Sequence, residues 1–176
     1  MRDVLAECAA VGERATQTLK WANAANAALI TIGLDHLTLA RAALYAAELR
    51  GAPPPGDHVN EAVDLIRRSG QQGHLPLPLL TRALHRAVTE NFDGAREDLD
   101  EAFEIAERGP MRLHLADIHL HRARLFGLLA NRPAKYPWAS PQDDLAEARK
   151  LVAACGYGRR TAELADAEAA LRALSG

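Results

Sequence analysis

PLPLLTRALHRAVTENFDGAREDLDEAFEIAERG, residues 76–109, decides how the rest of the chain is read. Pro76 and Pro78 fit only the first turn of a helix, because proline has no amide hydrogen to donate and its ring blocks any earlier helical turn. The helix they open runs to about Glu90. Asp93 caps a second helix, which ends at Gly109. Ala83, Ala87, Ala95 and Ala102 place small side chains where packed helices approach one another closely. The pattern recurs outward from this pair. Glu61-Ala62, Glu101-Ala102 and Glu147-Ala148 stand 40 and then 46 positions apart. The same two offsets align Leu65 with Ile105 and Leu151, Ala83 with Ala123 and Ala169, and Ala87 with Gly127 and Ala173. A recurring helix pair that cannot bury its apolar face alone is the mark of an α-solenoid. A loop at 131–140 accounts for the larger second offset.

Composition points the same way. The 176 residues include 36 Ala and 26 Leu, against 18 Val, Ile and Thr together and 8 aromatic residues. Ala and Leu favour helices, whereas strands draw on the scarce β-branched and aromatic types, so a β-sandwich or barrel is excluded. A 25% charged fraction beside 48% hydrophobic residues excludes general disorder. The length suits one domain, 1–176.

The punctuation predicts an all-α antiparallel helix-pair array of about seven or eight helices. A leading helix (1–25) comes first, then pairs over 28–71, 74–108 and 111–156, then a last helix over 158–175. Gly51 to Gly56, with its three prolines, ends the helix begun at Ala28, and Asp57 caps the next. Pro110 opens a helix reaching about Ala130. Ser140 is an N-cap with Pro141 at the first helical position, and Gly156 or Gly158 stops that helix. Leu29-Ile30-Thr31-Ile32 is the best strand former in the chain, but no partner strand exists for it, so it is read as helix.

Net charge is −2, which supplies no general attraction to nucleic acid or an anionic membrane. Cys8 and Cys155 are read as reduced thiols in a cytoplasmic protein. Acids interrupt the N-terminus where a signal peptide needs an apolar run, and the most apolar window, 22–34, is too short to span a bilayer.

With small residues at Ala83, Ala95 and Ala102 and bulky ones at Phe92 and Leu99, residues 76–109 resemble a tetratricopeptide (TPR) repeat. The next unit is similar through Ala123, Trp138, Leu145 and Ala148, although Pro141 replaces one small residue and the inter-helix loop is enlarged. Ala40, Ala62 and Val63 carry the resemblance in the first unit. The last helix looks like the terminal cap of such arrays. Residues 109–117 and Tyr136-Pro137-Trp138 resemble C-terminal repeat regions of large bacterial multidomain NTPases and signalling proteins. What the resemblance implies is a TPR-like solenoid acting as a protein-binding scaffold.

No reactive constellation competes with that expectation. His114, Asp117 and His121 share one helical stripe, but His114 and His121 stand ~10 Å apart along the axis, too far for one ion. At most Asp117 and His121 chelate together, so no metal and no cofactor are expected. Ser69, Ser140 and Ser175 sit in turns or the tail, and no nucleophile elbow or phosphate-binding loop is present. Asp98 with Asp100, and Asp143 with Asp144, are read as first-turn acids facing a helix dipole. Arg82, Arg86, Arg122 and Arg124 form modest cationic clusters matched by neighbouring acids, the pattern of a solvated surface. An enzyme and a nucleic-acid binder are therefore not expected.

The expected function is non-catalytic binding of a protein or peptide on the concave face. The second reading is self-association, or regulation, within a larger bacterial NTPase or signalling protein. In the TPR register the first helix of each pair lines the groove. Counting from Ala83 gives Leu80, Leu84 and Val88; counting from Ala123 gives Asp117, Leu120, Arg124 and Leu128, with His121 beside them; counting from Ala40 gives Leu37, Arg41 and Tyr45. An apolar middle with an arginine on each flank suits a short segment carrying apolar anchors and an acid. Whether Tyr136 and Trp138 cover the core or contact a partner is left open by the sequence.

Overall fold

Each stretch between glycine and proline breaks folds as a helix in the computed structural model, which describes residues 3–175; Met1, Arg2 and Gly176, included in the expected domain, lie outside the described residues. The described residues form eight α-helices and no strand: α1 (Val4–Ala24), α2 (Leu29–Arg50), α3 (Asp57–Arg68), α4 (Pro76–Val88), α5 (Phe92–Arg108), α6 (Arg112–Arg122), α7 (Pro141–Cys155) and α8 (Thr161–Ser175). The β-forming run 29–32 lies in the first turn of α2, as a strand without a partner must. No described helix is long and apolar enough to cross a membrane.

The caps explain most boundaries. Asp3 accepts from the Leu5 and Ala6 amides, and Ser140 accepts from that of Asp143. Gly51 and Gly156 close α2 and α7 in the left-handed conformation that costs glycine nothing. Two expected caps are corrected. Gly56 holds the cap position before α3, making Asp57 its first helical residue. Asn91 caps α5 through the Gly94 amide, so Asp93 is already inside the helix, in its first turn. The helix expected over 110–130 also differs. It starts at Arg112, keeps α-geometry only to Arg122, and continues as a π-helical segment, Ala123–Leu128.

Helices pack with their chain neighbours as α1 on α2, α2 on α3, α4 on α5 and α6 on α7. In addition, α4 touches both α2 and α6, which sets these three side by side. The main core gathers Ile66, Leu79, Leu99, Ile118 and Phe126 around the small residues Ala83, Ala87, Ala95 and Ala102. Burying each large apolar side chain is worth ~1.5–3 kcal/mol. Close approach explains the small positions. A Cβ on Gly33 would meet Ile66 at 2.7 Å, and one on Gly127 would meet Pro141 at 2.8 Å. Ala169 and Ala173 depart from the expected alignment: both are exposed, and α8 instead buries Leu164, Ala167 and Leu171 against Leu120, Ala123 and Leu145. With no ninth helix behind it among the described residues, α8 sets its register by one packed face.

Several groups expected on a solvated surface are buried polar contacts. Asp98 is 1% exposed and is held by Arg82 (2.6 Å) and Arg86 (3.0 Å). It lies in the middle of α5, outside the first turn. Asp144 is buried too, taking a 2.5 Å contact from His119 Nδ1 and a hydrogen bond from the Tyr136 hydroxyl. Burial, reinforced by Asp144, pushes the Tyr136 phenol above its ordinary value. Arg122 is buried between the faces of Phe103 and Trp138 and pairs with Asp100, to which Trp138 Nε1 also donates. Trp138 packs edge-on to Phe126 and against the core. The enlarged loop is therefore part of the core cover. Between α2 and α3, His36 Nδ1 and His58 Nδ1 face each other at 3.0 Å.

Candidate functional groove

The side-by-side setting of α2, α4 and α6 leaves one continuous depression, a groove of about 650 Å³ reaching across to the stretch from Tyr157 to Ala170. That volume falls within the range of ligand-binding clefts. All eight groove residues expected from the sequence line it: Arg41, Tyr45, Leu80, Leu84, Asp117, His121, Arg124 and Leu128. Val88 lines it as well. Leu37 and Leu120 do not; they are corrected to core residues, buried beneath α2 and α6. Tyr45 is 48% exposed, and Leu113, also in the lining, is exposed too, so the surface carries large apolar groups open to contact.

The offset of 40 is visible in the lining. Arg41, Thr81 and His121 recur at that interval, as do Leu44, Leu84 and Arg124, and Glu48, Val88 and Leu128. Equivalent turns of three helices thus present their side chains to the same space.

The charges are more constrained than the sequence indicates. Asp117 is 5% exposed and bound by Arg160 Nε at 2.7 Å and by the Tyr157 hydroxyl at 3.1 Å, so it is not a free acid facing a partner. Arg160 also pairs with Glu163, and Glu163 accepts from Arg124 at 3.4 Å. Burial alone lowers the Arg160 guanidinium, but the Asp117 hydrogen bond and charge, with Glu163 behind them, raise it above its ordinary value. Arg124, expected to receive an acid, therefore already has one. Tyr157, Arg160 and Glu163 were not singled out as site residues from sequence; the Arg159-Arg160 pair after Gly158 was the available signal.

Arg41 is different. It donates to the Thr81 hydroxyl at 3.0 Å and the Leu77 carbonyl at 3.4 Å, both neutral acceptors. Burial holds its guanidinium below the ordinary value, opposed by Tyr45 and Asp117 and reinforced by the positive charges of Arg160 and Arg159.

The histidine stripe faces the groove. His121 Nδ1 contacts the Asp117 carbonyl at 2.8 Å, and burial pushes its imidazole below the ordinary value. His114 is lowered by burial in the same way, with His74 adding to the effect and Asp117 opposing it. Its Nδ1 is buried without a hydrogen-bond partner. His119 turns away to Asp144. Among the described residues no three His, Cys, Asp or Glu side chains are gathered in a metal-binding group. No protein-family model, curated protein or solved structure matches the chain.

Proposed function

We propose that the chain is a TPR-like helical repeat whose concave groove binds a peptide or partner-protein segment without catalysis. The observation that carries this reading is the lining itself. Residues chosen from a TPR register counted from Ala40, Ala83 and Ala123 line one groove with apolar side chains open to contact. Packing of α4 on both α2 and α6 supports the repeat arrangement. Cytoplasmic residence, and no role with nucleic acid or membrane, belong to the same proposal and rest on composition and charge. The test is selection of phage-displayed random peptides on the wild-type chain, followed by rebinding to Leu84→Glu and Leu128→Glu variants of unchanged helicity. Peptides lost from both variants support the groove. Peptides that bind the variants equally well, or a selection that enriches nothing, overturn it.

A second reading has its own observation. Trp21 is 64% exposed on α1, a helix packed along α2. Such an aromatic suits self-association or docking within a larger bacterial NTPase or signalling protein. Light scattering that shows concentration-dependent dimers, abolished by Trp21→Ser, supports this reading; a monomer at every concentration removes self-association.

A further inference from the structure

The ion pairs of the groove cancel one another in a chain, Asp117 with Arg160, Arg160 with Glu163, and Glu163 with Arg124. Four groove charges stand outside that chain. Among the described residues, Arg41, Glu48, Arg159 and Asp166 have no carboxylate or cation as an ion-pair partner, yet all four line the groove. Arg159 rests over the Tyr157 ring, its guanidinium carbon 5.4 Å from the centroid. Arg41 bonds Thr81, the 40-residue counterpart of His121, and Arg159 adjoins Arg160, which holds Asp117 one turn before His121, so the two cations stand toward the same end of the groove. On α2 the acid Glu48 follows Arg41 by seven residues, which is ~10.5 Å along the axis. On the opposite wall Asp166 follows Arg159 by the same number of residues. Leu84, Val88 and Leu128 lie between the walls.

Resting on the peptide-binding reading above, we infer that the groove reads charge polarity. It takes an extended peptide segment with an acid and a base about three residues apart and apolar residues between them, the acid at the Arg41–Arg159 end. The spacing follows from ~3.3 Å per extended residue across ~10.5 Å. A helical occupant would instead carry the two charges seven residues apart, because ~10.5 Å is seven steps of ~1.5 Å. A carboxylate at the cationic end relieves an arginine that is half-buried, crowded by like charge and bonded only to neutral oxygens. The turn before α8 is then part of the recognition surface, and the cation that takes the acid is not Arg124, which Glu163 already holds.

The experiment uses fluorescein-labelled capped peptides Asp-Leu-Leu-Lys and Lys-Leu-Leu-Asp, because the chain direction is unspecified. Controls are Asn-Leu-Leu-Gln, a one-residue spacing and a seven-residue helical spacing, all measured by anisotropy on the full chain. The expected result is that one of the two charged peptides binds at least tenfold more tightly than every control. The swap Arg159→Glu with Asp166→Arg, at two exposed positions, should weaken that peptide at least tenfold, while Arg108→Gln, on α5 outside the groove, leaves it within twofold. Arg41→Gln gives the same loss where circular dichroism shows the fold intact. Equal binding of charged and neutral peptides, with loss on Leu84→Glu, overturns the polarity inference and leaves the peptide groove standing. Binding of all peptides unaffected by Leu84→Glu, or no binding by any, overturns both. Preference for the seven-residue spacing overturns the extended occupant.

Discussion

The α4–α5 and α6–α7 pairs each bury an acid at a matching place, and they satisfy it differently. Asp98 and Asp144 are separated by 46 residues, the interval that also relates Ala102 to Ala148. Asp98 is held by two arginines of α4, whereas Asp144 is held by His119 of α6 and Tyr136 of the enlarged loop. Arg122, which matches Arg82 at the 40-residue interval, is thereby released to pair with Asp100 and stack between Phe103 and Trp138. His58 occupies the corresponding position 40 residues before Asp98 and meets His36. One polar position, buried at Asp98 and Asp144 and half-buried at His58, is thus filled three ways. The comparison teaches that the backbone arrangement demands a polar contact between paired helices without dictating its chemistry, and that a loop insertion can supply a partner that a helix no longer provides.

The largest break in this comparison is expected from Asp98→Ala. Two arginines lose their common acceptor in a desolvated site, and removal of one side of a buried ion pair costs about 3–5 kcal/mol. Urea unfolding should show the midpoint fall accordingly; a loss below about 1 kcal/mol would show that Arg82 and Arg86 find water without penalty. Trp138→Ala comes next, at about 3 kcal/mol, since it removes a large aromatic body from the core and one face of the Arg122 stack. An unchanged melting temperature would mean that the loop is not part of the core cover. Tyr136→Phe sharpens the contrast, because it deletes only the hydroxyl bond to Asp144 and should cost about 1 kcal/mol.

The smallest effect concerns the histidine version of the contact. Burial, with the nearby His58 adding to it and Glu61 and Asp35 opposing, holds the His36 imidazole below 6.5. The unfolded chain then binds more protons than the folded one just below that pH. Stability is present in full above pH 6.5 and declines as pH falls toward the folded value, and His114 and His121 act with the same sign. The melting temperature should drop between pH 7 and 5.5, less steeply in His36→Gln. An equal slope in the variant would assign the dependence to the groove histidines.

Helix number, order and most ends were legible in the sequence because they depend on local chemistry, on prolines in first turns and glycines past last ones. Asp57 and Asp93 were misplaced as caps because Gly56 and Asn91 are equally capable candidates a residue or two away. The π-helical segment after Arg122 has no marker in a run of ordinary helix formers. The eight groove positions came from the TPR register counted from Ala40, Ala83 and Ala123, with His121 beside it, and all of them line the groove. Their pairing had no such source. Asp117 meets Arg160 across 43 residues, and no local pattern records which cation a buried acid will find. The misaligned Ala169 and Ala173 have a similar origin, for among the described residues α8 packs by the single face of Leu164, Ala167 and Leu171.

That contact between Asp117 and Arg160 has a consequence for how the chain opens. It ties the turn before α8 to α6, closing a loop that contains all of α7, so opening α8 releases a closed loop together with a buried charge. At the other end, among the described residues, α1 is joined to α2 by the exposed Thr18–Asp35 hydrogen bond and by no ion pair, and it leaves Trp21 in solvent. Amide hydrogens of α1 should therefore exchange through local fraying, while those of α6, α7 and α8 exchange together in a single cooperative opening. The molecule is expected to come apart from its first helix, with its last three helices leaving as one.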